Sequence, residues 1–96
     1  GGPRDGALLR FSIGNALMAE GDTAEAVSEF RTAIEFDPHY SAAWKMLGTV
    51  LAQCGQVDAA IETWEQGATV ANQRGDIQAA KEMLVFQRRL EKQRGS

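Results

Sequence analysis

The stretch Trp44–Trp64, WKMLGTVLAQCGQVDAAIETW, decides the fold, because the same pattern occurs 34 positions earlier as Arg10–Phe30, RFSIGNALMAEGDTAEAVSEF. The two stretches align without a gap. The aligned pairs are Ile13 with Leu47, Gly14 with Gly48, Leu17 with Leu51, Gly21 with Gly55, Ala26 with Ala60, and Phe30 with Trp64. A fixed period of about 20 to 50 residues is typical of arrays in which neighbouring structural units stack on one another.

The repeated residues carry a resemblance to a known family. Its pattern is Trp, two residues, Leu-Gly, two residues, Tyr, then Ala, three residues, Phe, and later Pro. The matching residues are Trp44, Leu47, Gly48, Ala60 and Trp64 in the second copy, and Ile13, Gly14, Ala26, Phe30 and Pro38 in the first. The departures are Arg10 for the first Trp, Leu17 and Leu51 for Tyr, and Asn72 for the second Pro. From about Ala7 to Asn72 the chain therefore closely resembles a tetratricopeptide-repeat domain, with a partial third unit after it.

The resemblance implies an all-α fold. We expect a short right-handed α-solenoid of five helices, made of two full helix-turn-helix repeats and a C-terminal capping helix. The expected units are repeat 1 over about 7–40, repeat 2 over about 41–74 and the capping helix over about 76–93, in a single domain at 6–94. The terminal Gly-Gly-Pro and Gly-Ser predict an excised fragment, in which 1–5 are flexible or vector-derived residues and 95–96 are a tail.

Apolar spacing and end signals predict the same helices from the residues themselves. Gly21 and Gly55 end two of them, and Asp37-Pro38 stops another, because the residue before proline avoids the helical region. The first three helices are expected to run from Asp5 to Glu20, from a cap at Asp22 or Thr23 to Asp37, and from a cap at Ser41 to Cys54. The fourth is expected to start near Asp58 and to continue through Val70 or Ala71, and the fifth to run from a cap at Asp76 to about Gln93.

Three glycines, Gly14, Gly48 and Gly67, fall inside predicted helices, where glycine costs about 1 kcal/mol relative to alanine. We interpret them as places where two helices cross closely. In the fifth helix the position 34 residues after Gly48 is Glu82, and the position 34 after Trp44 is Gln78. This polar face predicts that the fifth helix caps the array with Glu82 exposed.

Composition limits the classes of function. A chain with 44% hydrophobic and 24% charged residues is ordinary for a globular domain, and no apolar run reaches the roughly 20 residues that span a bilayer. A net charge of −3 argues against general nucleic-acid binding. The single Cys54 favours a reducing, cytoplasmic compartment. The basic residues Arg88, Arg89, Lys92 and Arg94 complement the dipole at a helix C-terminus, and a contact with an acidic partner or nucleic acid is the alternative interpretation.

No group of residues predicts catalysis, so we predict a protein that is not an enzyme and has no cofactor or metal site. His39 lies in a turn between repeats, and Cys54 is interpreted as a small packing residue near a helix end. The acidic pairs Glu25–Glu29 and Glu62–Glu65 fall on outer helix faces, where they are expected to be solvated.

In the family, the first helix of each repeat lines a concave groove that holds a partner's peptide. Helical spacing places apolar residues with a polar rim on that surface, which is typical of an interaction site. The predicted groove residues are Phe11, Asn15, Met18, Lys45, Met46, Thr49, Gln53, Met83 and Phe86. For any one of them, a place in the core is the alternative.

The resemblance also argues against one class of ligand. Members that bind chaperone tails hold a terminal carboxylate with a Lys three residues before the first Gly, two Asn, and basic residues early in the third helix. Those places hold Phe11, Asn15, Met46, Asp76 and Ala80, so only Asn15 matches. We predict a non-catalytic protein–protein interaction scaffold that binds a partner peptide or helix in its groove, without a membrane or nucleic acid. The alternative is a structural or self-association module of a larger multi-repeat protein.

Overall fold

Five helices account for most of residues 3–95, which are the residues that the computed structural model describes; side chains are described over 6–95. They are α1 (Pro3–Glu20), α2 (Thr23–Phe36), α3 (Ser41–Gln53), α4 (Val57–Arg74) and α5 (Ile77–Arg94). The predicted all-α repeat fold is confirmed over this span, while the expectations for residues 1, 2 and 96 lie outside it. None of the helices in residues 3–95 combines the length and the apolar character needed to cross a membrane.

Three helices end in the same left-handed turn. Gly21, Gly55 and Gly75 have φ angles of 85°, 79° and 89°, a conformation that glycine adopts without steric cost. In each turn the N–H of the following residue donates to the carbonyl five positions back, which satisfies an otherwise free carbonyl at the helix end. The sequence signal at Gly21 and Gly55 is therefore confirmed in physical detail.

The helix starts agree with the sequence less closely. Asp76 caps α5 as predicted, because its carboxylate accepts a hydrogen bond from the N–H of Ala79 at 3.3 Å. Ser41, in contrast, is not the cap of α3: Tyr40 holds that position, and Ser41 is the buried first residue of the helix. Helix α1 begins at Pro3, two residues earlier than expected, which suits proline because the first helical N–H has no partner anyway.

The glycines inside the helices mark close crossings, as predicted. A Cβ atom built on Gly14 would lie 2.6 Å from the ring of Phe30, and one built on Gly48 would lie within 3.0 Å of the indole of Trp64. Phe30 and Trp64 are both buried. The same contact thus occurs in both repeats, with an aromatic ring of the second helix filling the space that the missing side chain leaves on the first.

The helices form two layers. Sequential helices pack against each other, and in addition α1 contacts α3 and α3 contacts α5. Within the described residues, no Cα atom of α2 lies within 8 Å of a Cα atom of α4. Because the odd-numbered helices lie closer together than the even-numbered ones, the array curves with α1, α3 and α5 on its inner side. We call the side of these three helices that faces away from α2 and α4 the inner face.

Helix α4 breaks the 34-residue period. It has 18 residues, whereas its counterpart α2 has 14, and the connection after it has two residues instead of four. The cause is local: α2 stops before Pro38, but the equivalent position in the second repeat is Asn72, whose N–H allows the helix to continue to Gly75. As a result, α5 begins at Ile77, 36 residues after the start of α3 at Ser41.

The buried positions of α5 follow this longer spacing. Ala79 and Met83 are buried, as are Ala43 and Leu47 located 36 residues earlier in α3. A Cβ atom on Gly67 of α4 would lie 2.7 Å from the sulfur of Met83. The placement of Met83 in the groove is therefore wrong: its side chain is 0% exposed and packs between α4 and α5.

The same shift corrects the orientation of Glu82. Its side chain faces α3, where a carboxylate oxygen lies 3.3 Å from the ammonium group of Lys45, and it is 38% exposed. The prediction that Glu82 is exposed is therefore met only in part, because the side chain is partly exposed but lies against α3, whereas Gln78 is exposed. That α5 caps the array stays a prediction.

Candidate functional site

On α1, the predicted groove residues are half-buried rather than open. The ring of Phe11 lies 5.8 Å from that of Phe30 and 5.0 Å from that of Tyr40, measured between centroids. Met18 also packs against the core, and Asn15 is half-buried. Phe11 and Met18 therefore help to join the helices, which leaves part of each side chain for the inner face.

On α3, the predicted residues divide between the core and the inner face. Met46 packs against the core, and the hydroxyl of Thr49 donates to the carbonyl of Lys45 at 2.9 Å within the same helix. Lys45 itself forms the ion pair with Glu82, so its charge is partly neutralised. Gln53 is exposed and free to contact a partner.

On α5, the residues of the inner face differ from the predicted ones. The 36-residue spacing makes Lys81, Val85 and Arg89 the equivalents of Lys45, Thr49 and Gln53, and Arg88 the equivalent of Ala52. Lys81, Arg88 and Arg89 are exposed, and Val85 is 43% exposed. The one sequence signal that indicated this shift was the absence of proline at Asn72.

An open cleft of about 260 Å³ lies along this part of α5. Its lining residues are Gln78, Lys81, Glu82, Val85, Phe86 and Arg89. Phe86, a predicted groove residue, forms one edge and is half-buried because its ring lies 5.5 Å from that of Trp64. The cleft therefore offers an apolar floor between charged side chains.

Charge is unevenly distributed along the chain. Residues 77–94 contain five Lys or Arg and two Glu, a formal charge of +3, although the whole chain carries −3. Arg94 pairs with Asp58 of α4 at 2.5 Å. Lys81, Arg88 and Arg89 form no ion pair with any side chain of residues 6–95. The unneutralised cations of α5 are thus concentrated around Val85.

The remaining reactive groups do not converge. His39 is exposed in the turn between the repeats, and its carbonyl accepts a hydrogen bond from Arg74 at 2.6 Å. Cys54 is exposed at the end of α3, so its interpretation as a packing residue is wrong. Burial raises the pKa of the Tyr40 hydroxyl, and the carboxylate of Asp37 raises it further. No three His, Cys, Asp or Glu side chains within residues 6–95 lie close enough to hold a metal ion.

Comparison with known proteins agrees with this architecture. The family model described as "Tetratricopeptide repeat" matches residues 17–84. The chain belongs to the tetratricopeptide-repeat (TPR) family. This TPR chain is 43% identical over 90 residues to the TPR repeat-containing protein PA0015 of Pseudomonas aeruginosa. The aligned region covers 94% of this chain and 86% of that relative. Domains of this fold generally mediate protein–protein interactions.

Solved structures show the same fold. Protein BPP2914 from Bordetella parapertussis superposes with a TM-score of 0.83 at 41% identity, covering 91% of this TPR chain and 76% of that chain. The TPR2B domain in the pHsp70 complex of yeast Sti1 gives a TM-score of 0.86 at 22% identity, covering 92% and 70%. At that identity the likeness to Sti1 is one of fold.

Proposed function

We propose that this TPR domain is a non-catalytic scaffold whose inner face binds a segment of a partner protein. The observation that carries the proposal is the row formed by Lys81, Val85 and Arg89 on α5, at the positions that Lys45, Thr49 and Gln53 occupy on α3. The row continues the inner face of α3 onto α5. An exposed apolar residue within a polar rim is characteristic of surfaces that bind partners.

The TPR2B domain of Sti1, which shares the fold, is found in a complex with pHsp70, which supports a protein or peptide as the partner here. The mode of binding proposed for this chain is different from the capture of a terminal carboxylate. With the 36-residue spacing, the places of the two basic residues early in the third helix are held by Gln78 and Glu82. A carboxylate would meet Glu82 there, so we propose that an internal segment of the partner binds.

A second candidate is self-association, and exposed apolar residues at the two ends of the array favour it. Leu9 is 58% exposed and Phe36 is 43% exposed at the α1–α2 end, and Ile77 is 50% exposed at the α5 end. In an array these end faces are where another repeat would stack. Sedimentation of the protein over a dilution series would show a dimer that dissociates if this candidate were correct.

Selection of peptides followed by NMR mapping tests the proposed function. Random 12-residue peptides displayed on phage are selected on the wild-type domain, and an enriched peptide is titrated into ¹⁵N-labelled protein. The amide shifts are expected to concentrate on the inner face, at Lys45, Gln53, Lys81 and Arg89. Shifts confined to the exposed side of the even helices, around Glu25 and Glu62, would contradict the proposal, as would a selection that enriches no peptide.

A further inference from the structure

We infer that the segment bound by this domain is acidic, and that it places its carboxylates against Lys81, Arg88 and Arg89 with an apolar side chain over Val85. The inference rests on the proposed function and specifies the chemistry of the partner.

The geometry of one helix brings these four residues together. Lys81 precedes Val85 by four residues, and Arg88 and Arg89 follow it by three and four, so all three are its neighbours on the surface of α5. The three cations are exposed, and Val85 keeps 43% of its surface open. Val85 is thus an apolar spot with positive charge on both sides along the helix.

The electrostatics of the chain explain why the ligand is anionic. Three other basic side chains have acidic partners: Arg10 pairs with Glu29, Lys45 with Glu82, and Arg94 with Asp58. Arg31 and Arg74 form no ion pair among residues 6–95, but they lie on different helices and form no cluster. The three cations around Val85 have no such partner among residues 6–95. A segment rich in Asp and Glu supplies the missing charge, and arginine can hold a carboxylate with two parallel hydrogen bonds.

The apolar part of the surface selects a peptide over a nucleic acid. The ring of Phe86, the aromatic residue beside these cations, is half-buried and packs against Trp64 at 5.5 Å between centroids, so only part of one ring is available for a base to stack on. Glu82 and Glu91 lie on the same helix and repel a continuous phosphate backbone. An acidic peptide, in contrast, can avoid these carboxylates and cover Val85 with a side chain of its own.

The test compares selections on two proteins. Random 12-residue phage peptides are selected in parallel on the wild type and on the double variant Arg88→Glu/Arg89→Glu. Wild-type binders are expected to be net negative with at least one large apolar residue, and the double variant is expected not to enrich them. For a synthetic copy of one binder, we expect the Kd to rise about tenfold in the double variant and several-fold when salt is raised, because electrostatic attraction is screened.

A matched pair of single variants separates local from general charge effects. Arg89→Glu and Arg31→Glu make the same change at exposed sites, on α5 and on α2. Arg89→Glu is expected to weaken binding several-fold and Arg31→Glu less than about twofold. Equal effects of the two variants would overturn the inference. Thermal unfolding followed by circular dichroism checks that both variants are folded.

Other outcomes identify a different occupant. Enriched peptides that are neutral or basic but shift inner-face amides would overturn the inference and leave the proposed function standing. Shifts confined to the even helices, or no enriched peptide, would contradict the proposed function itself. A fluorescent 20-residue oligothymidylate that binds more tightly than the peptide, and is released by Arg88→Glu/Arg89→Glu, would replace the peptide with a nucleic acid. If the wild type forms a dimer and this variant is a monomer, the surface binds a second copy of the chain instead of an acidic peptide, and the inference is wrong.

Discussion

Gly48 and Trp64 are the pair of residues on which the second repeat depends. The indole covers the glycine, is buried, and donates its N–H to the carbonyl of Lys45 at 3.1 Å, so that its polar atom is satisfied in the core. The cost of glycine within a helix predicts a close crossing at this position. It does not predict what fills the space, because that depends on how the second helix is rotated. The same reasoning applies to Gly14 and Phe30.

Substitution of Gly48 by leucine should therefore destabilise the domain. We expect Gly48→Leu to lower the free energy of unfolding by about 1 to 3 kcal/mol, because the overpacking at Trp64 outweighs the better helix propensity of leucine. Urea denaturation measures the change. Ala19→Leu, at an exposed site of α1, is the control and should stay within about 0.5 kcal/mol of the wild type. A more stable Gly48→Leu protein would show that the helices do not cross there.

The two aspartates at helix starts should differ in their contribution to stability. Asp76 accepts a hydrogen bond from the backbone of α5, whereas Asp22 has no such bond to α2. We expect Asp76→Ala to lower the free energy of unfolding by about 0.5 to 2 kcal/mol and Asp22→Ala to have a smaller effect. Equal losses in parallel urea titrations would argue that the capping bond does not contribute.

At the scale of elements, the length of α4 determines what α5 presents. The 34-residue period and helical spacing suffice to predict the helices and to place Lys45 and Gln53 on the inner side of α3. They do not suffice for α5, because its rotation depends on whether α4 stops or continues after Asn72. The absence of proline at position 72 permits α4 to continue but does not require it to. Gly75 ends the helix only if the helix has already continued that far. For this reason the 34-residue period places Met83 on the surface, whereas in the structure Met83 is buried and Val85 lies on the surface.

Alanine substitutions at these two positions test the rotation of α5. Met83 is 0% exposed and Val85 is 43% exposed, although they are only two residues apart. We expect Met83→Ala to lower the free energy of unfolding by about 2 to 5 kcal/mol, because it removes a buried side chain and leaves a cavity. Val85→Ala should change it by no more than about 0.5 kcal/mol. The opposite order in denaturant titrations would restore the 34-residue register.

The contact between α3 and α5 across the inner face should be weak and sensitive to salt. Lys45 and Glu82 form an ion pair, but their side chains remain 30% and 38% exposed. A double-mutant cycle with Lys45→Ala and Glu82→Ala is expected to give a coupling energy below about 1 kcal/mol that falls as salt is raised. A coupling that is larger and independent of salt would show that the pair is more desolvated than its exposure indicates.

The whole molecule is a thin slab, with principal-axis extents of 46 × 32 × 16 Å. Its two layers leave the inner face of α1, α3 and α5 open along the array, and the positive charge collects at the α5 end. The family follows from the repeated residues, and the proposal that the odd-numbered helices bind the partner follows from their resemblance to TPR domains. The positive charge of the inner face cannot be predicted in the same way. Lys81, Arg88 and Arg89 lie on that face only because α5 begins 36 residues after α3 instead of 34.

The measurement that tests the central claim most directly compares Val85→Asp with Leu9→Asp. Both residues are exposed apolar residues, but Val85 lies among the cations of α5, whereas Leu9 lies on α1 at the other end of the array. The Kd of a selected peptide is measured for both variants and the wild type by isothermal titration calorimetry. We predict that Val85→Asp raises the Kd about tenfold or more and that Leu9→Asp changes it less than about twofold. A larger loss for Leu9→Asp would place binding at the α1–α2 end of the array and contradict the inner face as the site.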